Sequence, residues 1–258
     1  MLHHSDVHDG SLFTPENLLR EARRQKSIAK HPIPGTCVLD PDGDIVRYLL
    51  KTGRASLNPH WACYHTQLYE FTLGRTAVGI VGCAVGSPFA VLIVEEMFAS
   101  GCQVLLSITS AGRINAPADG PRFLVIERAI RDEGTSSHYL APSRYAHIAP
   151  RLLKHVNAVL DRSPVALSLG TSWTTDAPFR ETAAAISRAG KLGADCVEME
   201  AAALYAFAKA RKRAVVCVAH VTNSMAQSSG DFEKGPENGS VDSLKLLEFV
   251  TRTVRGTR

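Results

Sequence analysis

A run of valine, isoleucine and glycine, TAVGIVGCAVG at residues 76–86, leads at once into a helix signal and then into a second apolar run, QVLLSIT at 103–109. Ser87 reads as a capping hydroxyl and Pro88 as the first helical position. FAVLIVEEMFAS then reads as a helix closed by Gly101. A crossover helix must lay its apolar stripe on the strands it connects. A strand–helix–strand unit therefore requires a parallel sheet with helices on its faces.

The rest of the chain repeats this alternation. TCVLD (36–40) reads as a short buried strand and DPDGD (40–44) as the turn after it. FLVIERAI (123–130), PVALSLG (164–170), CVEME (196–200) and AVVCVAHVT (214–222) add four strands. Helical stretches fall at about 145–161, 180–192, 201–212 and 241–255, and the polar, glycine-rich segment 227–240 reads as a loop. Thr14, Pro15 and Glu16 open a helix that runs to about Gln25. The expectation is an α/β fold: a single domain over 31–258 with a central mixed twisted sheet flanked by helices, behind an N-terminal helical extension over 1–30.

Composition narrows the function. A net charge of +4, with basic residues scattered apart from REARRQK (20–26) and the C-terminal TRTVRGTR, argues against a nucleic-acid partner. No apolar run reaches the ~20 residues that a membrane helix needs, so no membrane partner is expected. The six cysteines stand singly, without zinc spacing, which suits small core residues in a reduced, cytoplasmic protein.

Candidate chemistry gathers where strands end, because ligands of open α/β sheets bind beyond the carboxyl ends of the strands. Those ends carry Gly43 and Arg47, Gly82 to Gly86, Ser110 to Gly112, Glu198 to Glu200, and Thr222 to Ser224. Glycine lets backbone N–H groups approach an anion, and arginine supplies a bidentate cation for phosphate. GCAVG is not a phosphate-binding fingerprint, and glycine at a tight strand–helix turn is its more ordinary account. In CVEMEAAALYAF, strand alternation puts Glu198 and Glu200 on one face with Met199 opposite, while the first turn of a helix would also favour acidic side chains.

The succession DPDGDIVRYL, GIVGCAVGSPFAVLIVEE, SITSAGRI, IRDEGTSSHYL, WTTDAPFRET, VEMEAAALYAFA and AHVTNSM resembles the nucleoside phosphorylase superfamily over about residues 36 to 225. That group contains the hexameric-type purine phosphorylases, the uridine phosphorylases and the methylthioadenosine nucleosidases. The resemblance implies that Met199 and Glu200 grip the ribose, with Glu198 close by, and that Glu200 and Asn223 are the catalytic positions. It places phosphate on Gly43, Arg47 and Ser110, and the base beside Phe179, Val197, Thr222 and Asn223.

Two positions depart from the family pattern. The arginine expected three residues before Ser110 is Ser107, for which Arg113 is a candidate substitute or else a surface residue. Purine phosphorylases of the hexameric type and the nucleosidases carry an aspartate where this chain has Asn223. A carboxamide does not titrate, so Asn223 holds a base but supplies no acid. His65 and His138 receive no role. The leading expectation is a nucleoside phosphorylase that uses nucleoside and inorganic phosphate as co-substrates, without metal or organic cofactor, and works as a homo-oligomer, a dimer or a trimer of dimers. A hydrolytic nucleosidase and a catalytically silent nucleoside-binding protein are the alternatives.

Overall fold

The computed structural model describes residues 7, 9–115, 122–224 and 234–255, with the backbone alone at 223, 224 and 255. In chain order the elements are α1 (Pro15–Lys26), β1 (Thr36–Asp40), α2 (Asp44–Lys51), β2 (Ser56–Leu57), β3 (Leu68–Leu73) and β4 (Thr76–Gly82). Then come α3 (Ser87–Ala99), β5 (Val104–Arg113), β6 (Phe123–Asp132), β7 (Tyr145–His147), α4 (Pro150–Asn157) and β8 (Leu167–Thr175). The chain continues with α5 (Ala183–Lys191), β9 (Cys196–Glu198), α6 (Ala201–Ala210), β10 (Ala214–Ser224) and α7 (Ser240–Arg255).

The strands form one mixed sheet in the order β10-β6-β8-β9-β5-β1-β4-β3-β2, with β7 on β6. β1 runs parallel to β4 and β5, and β5 parallel to β10, whereas β3–β4, β6–β10 and β5–β9 are antiparallel. Because β10 also pairs with β5, strands β5, β10, β6, β8 and β9 close a ring. The β4–α3–β5 segment is the crossover that the sequence announces, with β1 inserted between its two strands.

α6 explains why CVEME is followed by alanine. Every side chain from Ala201 to Ala208 is buried, and the helix packs against α3, β6, β8 and β10. Alanine's small size lets all sides of the helix approach its neighbours, and a helix apolar all round belongs in a core. α1 docks Leu19 and Ala22 on Ala62 and Ala99. Its start follows the expected chemistry, with Thr14 Oγ1 accepting from Asn17 N–H at 3.3 Å.

Three local expectations are corrected. The stretch 145–161 is not one helix: it holds β7, then α4, then a 3-10 turn at Leu160–Arg162. Ser87 does not cap α3. Gly86, at φ 90°, occupies the capping position, and the Ser87 hydroxyl donates to the Met199 carbonyl at 2.7 Å. β3 and α2 form where no element was expected. No helix among the described residues is long and apolar enough to cross a membrane.

Candidate active site

The strand ends converge on two carboxylates. β9 stops at Glu198 and α6 starts at Ala201, so Glu200 sits in the turn at φ −132°, ψ −35°. Glu198 Oε2 accepts from the N–H groups of Glu200 and Ala201, both at 2.7 Å, and Oε1 from the Thr174 hydroxyl at 2.5 Å. Thr174 Oγ1 in turn accepts from Ala202 N–H at 3.0 Å. Glu198 and Thr174 thereby satisfy the first orphan donors of α6.

Glu200 has the opposite balance. Its Oε1 accepts from Gly86 N–H at 2.7 Å, yet Oε2 is buried with no hydrogen-bond partner among the described residues. Burial pushes its pKa up to about 8. The charges of Glu198 and Asp42 add to the rise, and the Gly86 N–H and Thr109 hydroxyl oppose it. Burial also raises Glu198, against the hydrogen bonds from Thr174, Ala201 and Glu200. Met199 is half-buried, and its methyl end lies near Gly86.

Beside this pair, the loop after β1 wraps round Asp40. The Asp40 carboxylate accepts from Gly43 N–H at 3.2 Å and Val46 N–H at 2.9 Å, which fixes the start of α2. Burial raises its pKa to about 7. Gly43 adopts φ 76°, and a Cβ there would stand 2.5 Å from Cys83 Sγ and 2.8 Å from Arg47 Nη1. Only glycine fits both the backbone and the space. Arg47 Nη2 donates to Asp44 Oδ1 at 2.7 Å and to the Asp42 carbonyl at 2.8 Å. Ser110 gives its N–H and its hydroxyl to Asp42. Asp44 is held below its ordinary range, because hydrogen bonds from Lys234 and Arg47 outweigh its burial.

Asp42 ties Ser110 and Arg47 to the Gly43 loop, and the Asp42 charge and Thr109 hydroxyl both reach Glu200, so the structure sets Gly43, Arg47, Ser110, Glu198 and Glu200 in one neighbourhood. Glu198, expected beside the ribose, has both oxygens engaged in holding the turn. The base-side residues are less united. Val197 is packed with Ile130, Trp173, Ala189 and Ala194 in a small hydrophobic cluster, and the Thr222 hydroxyl donates to the Ala111 carbonyl at 3.2 Å. Phe179 is 99% exposed, so it is neither a core aromatic nor stacked within this chain. The Asn223 side chain lies outside the described residues. Arg113 is partly buried at the end of β5, paired across from Cys196, and not on the open surface.

A model of the phosphorylase superfamily matches residues 37–255. The chain belongs to that superfamily. A guanosine phosphorylase from Halorubrum lacusprofundi is 22% identical over 182 residues, covering 70% of this chain and 74% of that protein. Among solved structures, a uridine phosphorylase from Vibrio fischeri superposes with a TM-score of 0.73 at 19% identity, covering 87% of this chain and 95% of that one. A 5'-methylthioadenosine/S-adenosyl homocysteine nucleosidase from Campylobacter jejuni superposes with a TM-score of 0.66 at 16% identity, covering 86% and 99%. These structures share the fold of this superfamily member, and the matched region leaves α1 outside it.

Several residues of the site carry no signal in the motifs. Asp40 and Asp42 read only as turn residues. Lys234 sits in a loop sequence, yet its Nζ lies 2.6 Å from Asp44 Oδ2, bridging 190 positions. His220 stacks on Phe123 at 4.7 Å, and burial together with Lys234 and Arg122 lowers its pKa to about 4, which keeps it neutral.

Proposed function

We propose that this enzyme is a pentosyltransferase that cleaves the N-glycosidic bond of a nucleoside with inorganic phosphate, giving free base and pentose 1-phosphate. One observation carries the reading. A buried carboxylate with an unpartnered oxygen, Glu200 Oε2, lies beside a glycine–arginine loop and a serine suited to an anion.

In this reading the nucleoside's sugar hydroxyls meet Glu200, with Met199 against the ring, and phosphate approaches over Gly43, Arg47 and Ser110. As the C1'–N bond lengthens, its electron pair goes to the base and positive charge builds on the sugar ring. A carboxylate fixed on the sugar hydroxyls favours that charge. A phosphate oxygen then forms the new bond to C1', and the departing base nitrogen takes a proton from solvent, since Asn223 has none to give. The six unpaired cysteines support a reducing compartment such as the cytoplasm.

Hydrolysis is favoured by one observation, the occupation of the Ser110 donors by Asp42. Base release from a panel of purine and pyrimidine nucleosides, measured with and without phosphate, decides between the two. Phosphate-dependent release with pentose 1-phosphate as product is expected. Equal rates at zero and high phosphate, with free pentose as the only sugar product, would overturn phosphorolysis.

A further inference from the structure

The residue before Gly43 engages both side chains assigned to phosphate. Asp42 Oδ2 accepts from Ser110 N–H at 2.8 Å, and Oδ1 accepts from the Ser110 hydroxyl at 3.1 Å. The Asp42 carbonyl accepts from Arg47 Nη2 at 2.8 Å. One carboxylate thus spans a main-chain N–H and a hydroxyl, the kind of donor pair that two oxygens of a phosphate would use. These contacts cross 68 positions of sequence, so they are not local turn hydrogen bonds. Nor do they hold the start of α2, where Asp40 already satisfies the N–H groups of Gly43 and Val46.

Lys234 completes the picture. Its Nζ is 3.5 Å from Asp42 Oδ2 and 2.6 Å from Asp44 Oδ2, and the same segment adds hydrogen bonds from Asn238 to Asp44 and from Lys51 to Glu237. Lys234 brings a cation to the loop on a chain that has Ser107 where an arginine is expected.

We propose that Asp42 is a built-in competitor for phosphate, an internal carboxylate that occupies the Ser110 donors and sets the concentration at which phosphate enters. The proposal rests on the phosphorolytic reading of the site. A tethered carboxylate acts at a high effective concentration, so free phosphate must displace a ligand that never diffuses away. Once displaced, Asp42 still repels the incoming dianion, and Lys234, already 3.5 Å from its carboxylate, offsets that charge. Phosphate therefore enters by an exchange in which Asp42 leaves Ser110 and keeps Lys234 as its counter-ion.

The test uses the full chain and two variants, Asp42→Ala and Asp42→Asn. Phosphate binding to the ligand-free protein is followed by calorimetry with inorganic phosphate, and base release is followed against phosphate at saturating nucleoside. In Asp42→Ala the phosphate Kd and KM should both fall by at least about tenfold, the scale of one lost charge-assisted competitor. Asp42→Asn should fall less, because its carboxamide still accepts from the hydroxyl but carries no charge. If one variant fails to fold, the other decides. A folded variant that binds phosphate no more tightly than the wild type overturns the competitor role, even where wild-type turnover depends on phosphate. Wild-type turnover indifferent to phosphate breaks the phosphorolytic reading instead. The calorimetry still decides Asp42 in that case: phosphate binding gained on its removal supports the role, and none refutes it.

Discussion

Glu200 keeps a carboxyl where water does not reach, and the cost appears in its proton affinity. With its pKa raised to about 8, the folded protein holds a proton there that the unfolded chain releases near 4.5. The folded state binds the extra proton between those values, so this group stabilises the fold below about pH 4.5, and that stabilisation is lost as pH rises through 8. Asp40, raised to about 7, adds a loss of the same sign. The empty protein should melt at a lower temperature at pH 8 than at pH 6, and Glu200→Gln should flatten part of that slope in a thermal scan. Turnover should run the other way, because the carboxylate is the form that favours a cationic sugar. kcat/KM is expected to climb with pH along an acid limb near pH 8. Glu200→Gln keeps the shape without the charge and should cut kcat by at least ~100-fold. Near-normal turnover by a folded variant would remove Glu200 from the chemistry. Met199 and Glu200 stood out as candidates because the motif is contiguous. Asp42 and Lys234 did not, since their partners Ser110 and Asp44 lie 68 and 190 positions away and nothing local marks the pairing.

At the scale of elements, the turn between β9 and α6 assigns different work to two glutamates that alternation puts on one face. β9 ends at Glu198, two residues before Glu200, so that alternation does not hold. Glu198 takes the N–H groups of the helix start, and Glu200 is left buried with one oxygen unpartnered among the described residues. Glu198 is therefore a positioning residue, and Glu198→Gln separates its two effects. The amide oxygen still accepts one N–H, but the repulsion that helps raise Glu200 is gone, so the acid limb of kcat/KM should move to lower pH. An unmoved limb with a lowered rate would mean that Glu198 only shapes the turn. Glu198→Ala should also destabilise the fold, by roughly 1–3 kcal/mol for each buried N–H left unpaired. Strands with continuous buried runs, such as β1 and β5, were readable for the reason that they are covered on both sides. β3 was hidden because Tyr69, Glu70 and Thr72 give it only a partly buried face, and α2 because eight residues hold barely two turns of pattern. β7 was absorbed into a helix reading because three residues carry no period of their own.

For the whole molecule, alternation of strands and helices disclosed an α/β sheet, but the ring made when β10 joins both β5 and β6 depends on pairings that no sequence period encodes. The ring sets Glu200, Ser110 and the α2 loop at one edge, and apolar side chains stand exposed near it. Val85, next to the Gly86 that holds Glu200, is 51% exposed. Phe13 is 72% exposed and lines a cavity of about 580 Å³ with Pro88, Leu92, His138 and Asp176. Phe179, three residues past Asp176, is 99% exposed. Burying a phenylalanine is worth about 1.5–3 kcal/mol, so leaving two bare near one cleft argues for a covering surface. A second copy of the chain is the economical cover, because most soluble oligomers are closed, symmetric assemblies of one chain. Light scattering at micromolar concentration should give at least a dimer. Phe179→Asp should shift that equilibrium toward the monomer, and turnover should fall with the dimer fraction. A wild-type monomer with full activity would refute the oligomer. Unchanged assembly and rate in Phe179→Asp would move the interface to another face.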